Sequence, residues 1–167
     1  MMEVAIVYYS RTGNTQALAD LLAEELRARE HSVRLVPISH SREPGFFGCL
    51  RIASGQREAS ICNPDTELDL SGADVVVVGG PVWAGRPAPY VRTYLDRARG
   101  LEGKPAGVFV SCNSESHRAE AFAPPMAEHA ASRGLEVKAS LTASRKDRGR
   151  HREMARAFLD ELLPRAP

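Results

Sequence analysis

Four consecutive valines in Ala73-Asp-Val-Val-Val-Val-Gly79 limit what this chain can fold into more than any other stretch. β-Branched side chains are stiff at χ1 and suit extended backbone, and a run without polar alternation leaves neither face fit for water. Such a strand must be covered on both sides, the condition of an inner strand in a parallel sheet. Glu3-Val-Ala-Ile-Val-Tyr-Tyr9 and Ala106-Gly-Val-Phe-Val-Ser-Cys112 repeat the signal. His31 to Ile38 instead alternates, with Val33 and Leu35 against Ser32 and Arg34, as a strand nearer the sheet edge does. Leu135 to Leu141 reads as a fifth strand.

Helical periodicity fills the intervals. Leu18, Leu22 and Leu26 recur every four residues, with Leu21 in a second row. Val91, Tyr94, Leu95 and Ala98 share a face behind Pro87 and Pro89. A further helix begins at Pro124-Pro125, because proline is tolerated in a first turn and breaks an interior. Met154, Ala155, Phe158, Leu159 and Leu162 mark the last one. Regular alternation of strands and helices predicts an α/β fold, a doubly wound five-stranded parallel sheet with helices on both faces, as a single domain over residues 1–167. A chain of 167 residues, 43% hydrophobic and 26% charged, can bury a two-sided core. Between Ser39 and Leu70 the pattern dissolves into turn residues. Within it, Gly45 to Gly55 is apolar, bracketed by glycines, and reads as a short helix; the whole segment reads either as a flap over a site or as a cover for the sheet end through Phe46, Phe47 and Leu50.

Several function classes fall away. A formal net charge of +1 argues against general affinity for nucleic acid or an anionic membrane. No apolar run approaches a membrane span, and the first strand starts too close to Met1 for a signal peptide, so a cytoplasmic protein is expected. Cys49, Cys62 and Cys112 are odd in number and lack C-x-x-C spacing, which suggests neither a disulfide framework nor a metal site. The chain has no G-x-x-x-x-G-K-[ST] and no G-x-G-x-x-G after the first strand. A phospho-receiver domain needs clustered acids after the first strand and an aspartate after the third, where this chain has Tyr9-Ser10 and Gly80-Pro81. The run from Arg145 to Arg152, interrupted by Asp147 and Gly149, reads as solvated surface.

Three strand ends carry unusual loops. Tyr9-Ser-Arg-Thr-Gly-Asn-Thr15 joins the first strand to the first helix and is dense in hydroxyls, with Gly13 where the backbone must bend. It serves either as an ordinary helix cap or as an anion cradle, since the first N–H groups of a helix lack partners and its dipole favours negative charge. Pro81 to Arg86 offers Trp83 among small residues, a flat apolar surface. Asn113 to His117 is polar. With strand order 2-1-3-4-5 these loops lie side by side at the switch point, where such sheets bind ligands. Together they suit a phosphorylated, flat heteroaromatic molecule.

Ile6-Val-Tyr-Tyr-Ser-Arg-Thr-Gly-Asn-Thr15 resembles the FMN phosphate loop of the flavodoxin family. Val77-Val-Gly-Gly-Pro-Val-Trp-Ala-Gly-Arg-Pro-Ala-Pro89 resembles the second FMN loop in its small bacterial flavoprotein branch. The resemblance implies a short-chain flavodoxin-like FMN protein. Ser10, Arg11, Thr12, Gly13, Asn14 and Thr15 would hold the phosphate, Arg11 through its backbone. Pro81, Val82, Trp83, Ala84 and Gly85 would lie along the ring, with Cys112, Asn113 and Ser114 on its other side. The third loop differs from the family's usual glycine-rich turn. Electron-carrier flavodoxins are strongly acidic as a family, and this chain is balanced, so the resemblance favours an NAD(P)H-dependent reductase of quinones or similar small acceptors. A carrier serving a redox protein partner, or a scaffold domain without FMN, are the alternatives. Chemistry would belong to the flavin. Glu115 and His117 sit where a proton donor is useful, although a loop histidine is more often surface, and Cys112 reads as a small core residue.

Overall fold

A computed structural model describes residues 1–40, 59–83, 86–113 and 120–164. Residues 41–58 of the segment read above as a flap, with Cys49, and the loop residues Ala84, Gly85, Ser114, Glu115 and His117 lie outside them. Within the described residues, five parallel strands run in the order β2-β1-β3-β5-β6. They are β1 (Glu3–Tyr8), β2 (Ser32–Pro37), β3 (Val75–Trp83), β5 (Pro105–Cys112) and β6 (Glu136–Ser144). The sheet is not purely five-stranded as expected: a sixth, two-residue strand β4 (Arg86–Pro87) folds back antiparallel onto the end of β3. The parallel strands nevertheless keep the predicted order 2-1-3-4-5 when counted without it. The helices are α1 (Asn14–Ala28), the short α2 (Asp65–Leu68), α3 (Pro89–Arg97), α4 (Ala123–Ser132) and α5 (His151–Leu162).

Strand periodicity sorts the core into two layers. Val4, Ile6, Val75 and Val77 point to one face, against Leu18, Leu22 and Leu26 of α1 and Phe158, Leu159 and Leu162 of α5. Ala5, Val7, Val76 and Val78 point to the other, against Tyr94 and Leu95 of α3 and Met126 and Ala130 of α4. The four valines are thus buried on alternate faces, as a doubly covered strand requires. β2 is the half-exposed edge.

β3 runs four residues beyond the expected end at Gly79. Gly79, Gly80 and Pro81 stay in register with Phe109, Val110 and Ser111 of β5. A Cβ at Gly79 would stand 1.9 Å from the Phe109 ring, and one at Gly80 would stand 2.7 Å from a Val91 methyl. These two glycines permit close packing in a strand and do not turn the chain. Pro81, Val82 and Trp83 are therefore strand residues at the carboxyl edge of the sheet. Among the described residues no helix is long and apolar enough to cross a membrane.

Candidate functional site

The site begins where β1 ends. Tyr9 is buried, its N–H bonded to the Gly79 carbonyl at 3.1 Å, which fixes the loop's departure point. The chain then crosses Ser10 to Gly13. Gly13 caps α1 at φ 83°, ψ −9°, a left-handed conformation that glycine adopts without steric cost. Ser10 Oγ accepts the Gln16 N–H at 3.2 Å, and Thr12 Oγ1 accepts from Asn14 Nδ2 at 3.0 Å. Each hydroxyl oxygen is thus an acceptor already and keeps its own proton to donate to a further anion. The amide groups opening α1 point the same way.

Thr15 serves a different end from its neighbours. Its hydroxyl lies 2.7 Å from the Ser111 hydroxyl, and both side chains are buried. That bond ties the first loop to the end of β5. Arg148 arrives from the opposite end of the chain, donating from Nη2 to Asn14 Oδ1 at 3.0 Å. The basic run expected as idle surface is exposed, yet it reaches the loop. Burial, then the Asp20 carboxylate, pushes the Tyr8 phenol up, which keeps it neutral beside the site.

A cavity of about 200 Å³ lies between the three strand ends. Arg11, Thr12, Asn14 and Thr15 line it from the first loop, Pro81, Val82 and Trp83 from β3, and Ser111, Cys112 and Asn113 from β5. Nine of these ten were singled out from the sequence, and the structure brings them together. Ser111 was not. It stands two residues before Asn113 at the start of the third loop, where only its alternation with Cys112 along the strand could have drawn attention.

Behind Trp83 is an aromatic group that sequence reading also missed. Trp83 meets Tyr9 edge-on at 5.7 Å between centroids and Tyr90 at 6.1 Å. His40 stacks on Tyr90 at 4.9 Å. The β3–β4 hairpin holds Trp83 against this group, with Trp83 opposite Arg86. The indole is therefore a fixed wall of the cavity. Cys62 is a free thiol. Among the described residues no group of histidine, cysteine and acidic side chains is placed to hold a metal ion.

Residues 2–124 match the NADPH-dependent FMN reductase family. The chain belongs to that family. Among curated relatives, the NAD(P)H dehydrogenase (quinone) of Solidesulfovibrio magneticus is 34% identical over 119 residues, covering 66% of this chain and 58% of that protein. The enzyme of the same name from Cupriavidus metallidurans is 30% identical over 133 residues, covering 72% and 62%. The chain spans about three-fifths of the length of these relatives. Among solved structures, a flavoprotein from Lactobacillus acidophilus in complex with FMN superposes with a TM-score of 0.65 at 21% identity, over 90% of this chain and 98% of that one. A putative flavoprotein from Bacteroides eggerthii gives 0.72 at 18%, over 99% and 100%. These likenesses establish the flavodoxin-like fold. The family match stops short of β6 and α5, so the arginine that reaches Asn14 lies outside it.

Proposed function

We propose that the chain binds FMN at the three strand ends and transfers electrons from NAD(P)H to a quinone or similar small acceptor. One observation carries the reading: an anion-suited helix entrance and a fixed tryptophan face border a single cavity of about 200 Å³. The donors fit a phosphate. Ser10 and Thr12 retain hydroxyl protons, the α1 amides add N–H groups, and among the described residues no carboxylate lines this cavity to repel a dianion. Arg11, Gly13 and Asn14 contribute backbone, and Thr15 its N–H, because its hydroxyl is engaged by Ser111. Pro81, Val82 and Trp83, with Ala84 and Gly85, would flank the ring on one side, and Cys112, Asn113 and Ser114 on the other.

Bound FMN would supply the hydride-accepting and electron-donating chemistry. The protein's part is position. The aromatic group behind Trp83 keeps the indole from collapsing into the cavity, and the hydroxyl bridge holds two of the three loops at a fixed distance. The family and the quinone dehydrogenase relatives support the activity. A cytoplasmic location is proposed with it, supported by the free Cys62 thiol.

Purified protein should take up FMN with quenching of flavin fluorescence, and riboflavin, lacking the phosphate, should bind at least about tenfold more weakly. The FMN-loaded protein should then reduce a soluble quinone with NADH or NADPH. Equal affinity for riboflavin would remove the phosphate from the loop. Reduction only when a flavoprotein reductase is added would replace the enzyme by an electron carrier.

A further inference from the structure

Arg148 reaches the first loop from 134 positions further along the chain, Nη2 donating to Asn14 Oδ1 at 3.0 Å. Asn14 in turn donates from Nδ2 to Thr12 Oγ1, also at 3.0 Å. The three side chains form one directed line that ends at a residue lining the cavity of about 200 Å³. Its direction is set at the arginine end. A guanidinium has only donors, whereas the two ends of an asparagine amide are a donor and an acceptor of nearly the same shape. With Arg148 in place, Oδ1 must face it and Nδ2 must face Thr12. The threonine oxygen then accepts, and its proton is left for an anion in the cavity. Without the guanidinium nothing favours that orientation, and the amide can turn over. Oδ1 would then face Thr12 and take the hydroxyl proton for itself. The arginine is held in place from both sides. It belongs to the short 3₁₀ turn Arg145–Arg150, which Ser144 opens by accepting the Lys146 N–H at 3.2 Å. His151 bonds back to the Ser144 carbonyl at 2.8 Å, and α5 is tied to α1 by Arg152 on Glu24 at 3.0 Å and Arg156 on Glu25 at 2.8 Å.

We propose that Arg148 is a positioning residue of the phosphate loop: by fixing the Asn14 amide it commits the Thr12 hydroxyl to donating, and so makes the site select a phosphorylated flavin over the unphosphorylated one. That role rests on the function proposed above, which gives the FMN phosphate to this loop. It goes further in one respect. Control of the loop passes to a turn between β6 and α5, beyond residues 2–124 of the family match. A general pull of the basic run on an anion is a different mechanism, and the two are separable. Arg145 carries the same charge in the same exposed turn, and among the described residues it makes no bond to the loop, whereas Arg148 does.

Fluorescence titration of the flavin-free full chain with FMN and, separately, with riboflavin reads the phosphate's share of binding as a ratio of two affinities. Arg148→Ala should lower the affinity for FMN about tenfold and leave that for riboflavin within about twofold, because only the phosphate loses a hydroxyl donor. Arg145→Ala should leave both as they are. In a Thr12→Ala chain, which already lacks the hydroxyl, adding Arg148→Ala should cost FMN nothing more, since the line has lost its end. The Arg148 bond is exposed, so the melting temperature of the flavin-free chain should shift by less than about 2 °C, and a larger fall would make Arg148 a prop of the fold instead. Equal binding of FMN and riboflavin by the unaltered chain would take the phosphate out of the loop, and the proposal with it. An FMN preference that survives Arg148→Ala, or a loss that is undiminished in the Thr12→Ala chain, would overturn the proposal alone and leave FMN binding standing. A loss equalled by Arg145→Ala would overturn it in favour of unspecific charge.

Discussion

Thr15 and Ser111, 96 positions apart in the chain, form the one buried hydroxyl pair described between the loops of the site. A buried hydroxyl left without a partner costs about 1–3 kcal/mol, whereas removing both members of a pair together costs far less. Thr15→Val keeps the shape and strands Ser111, and Ser111→Ala strands Thr15. Each single variant should therefore lose about 1–3 kcal/mol in urea unfolding, and the double variant should lose clearly less than their sum. Additive losses would mean that the hydroxyls do not act as a pair. The bridge also bears on binding: the single variants loosen the first loop relative to β5, so their FMN affinity should fall although neither side chain needs to touch the phosphate. This contact was invisible to sequence reading. A hydroxyl pair has no periodicity, and nothing in Val-Ser-Cys112 marks Ser111 as the partner of a threonine in the first helix. Gly79 and Gly80 misled for a related reason. Glycine next to proline is the usual sign of a turn, but here the missing side chains admit the Phe109 ring and a Val91 methyl.

At the scale of elements, α1 and α5 are joined by charge as well as by their leucine and phenylalanine faces. The Glu25 side chain is only 6% exposed and accepts from Arg152 and from Arg156, the latter at 2.8 Å. The Arg156 hydrogen bond, outweighing the cost of burial and aided by Arg152, holds the Glu25 carboxyl below the usual carboxylate range. The sign follows from linkage. A carboxylate with a depressed folded pKa stabilises the fold above its ordinary value of 4.5, and that contribution is lost as the pH falls through the folded value. Asp69, lowered by hydrogen bonds from Ser71, titrates in the same direction, so a comparison between proteins is needed to isolate Glu25. Glu25→Gln should be less stable than wild type at pH 7, and its melting temperature should fall less steeply below pH 4.5. Parallel melting curves for the two proteins across that window would show that the ion pairs do not couple the helices. The helices themselves were legible, because leucine spacing and proline placement are local signals. Their pairing through Glu25 was not, since a glutamate on an amphipathic helix ordinarily faces water.

For the whole molecule, the parallel sheet, its strand order and the meeting of three loops at its carboxyl edge could be read from the chain, because burial on two faces dictates uninterrupted apolar strands and topology dictates where they open. What could not be read is how the charge is placed. With 22 basic and 21 acidic residues the protein is balanced overall. Some of the acid charge is held in ion pairs, as at Glu24, Glu25, Asp160 and Glu153, while Arg145 and Arg148 line a groove between α1 and α5. A neutral total predicts a weak response to salt. Reduction of an uncharged quinone at saturating NADPH should change little as ionic strength rises from about 20 to 200 mM, because no large opposite charges are brought together. A turnover rate that collapses with salt would point instead to electron transfer between charged protein surfaces, and would place the physiological partner among proteins.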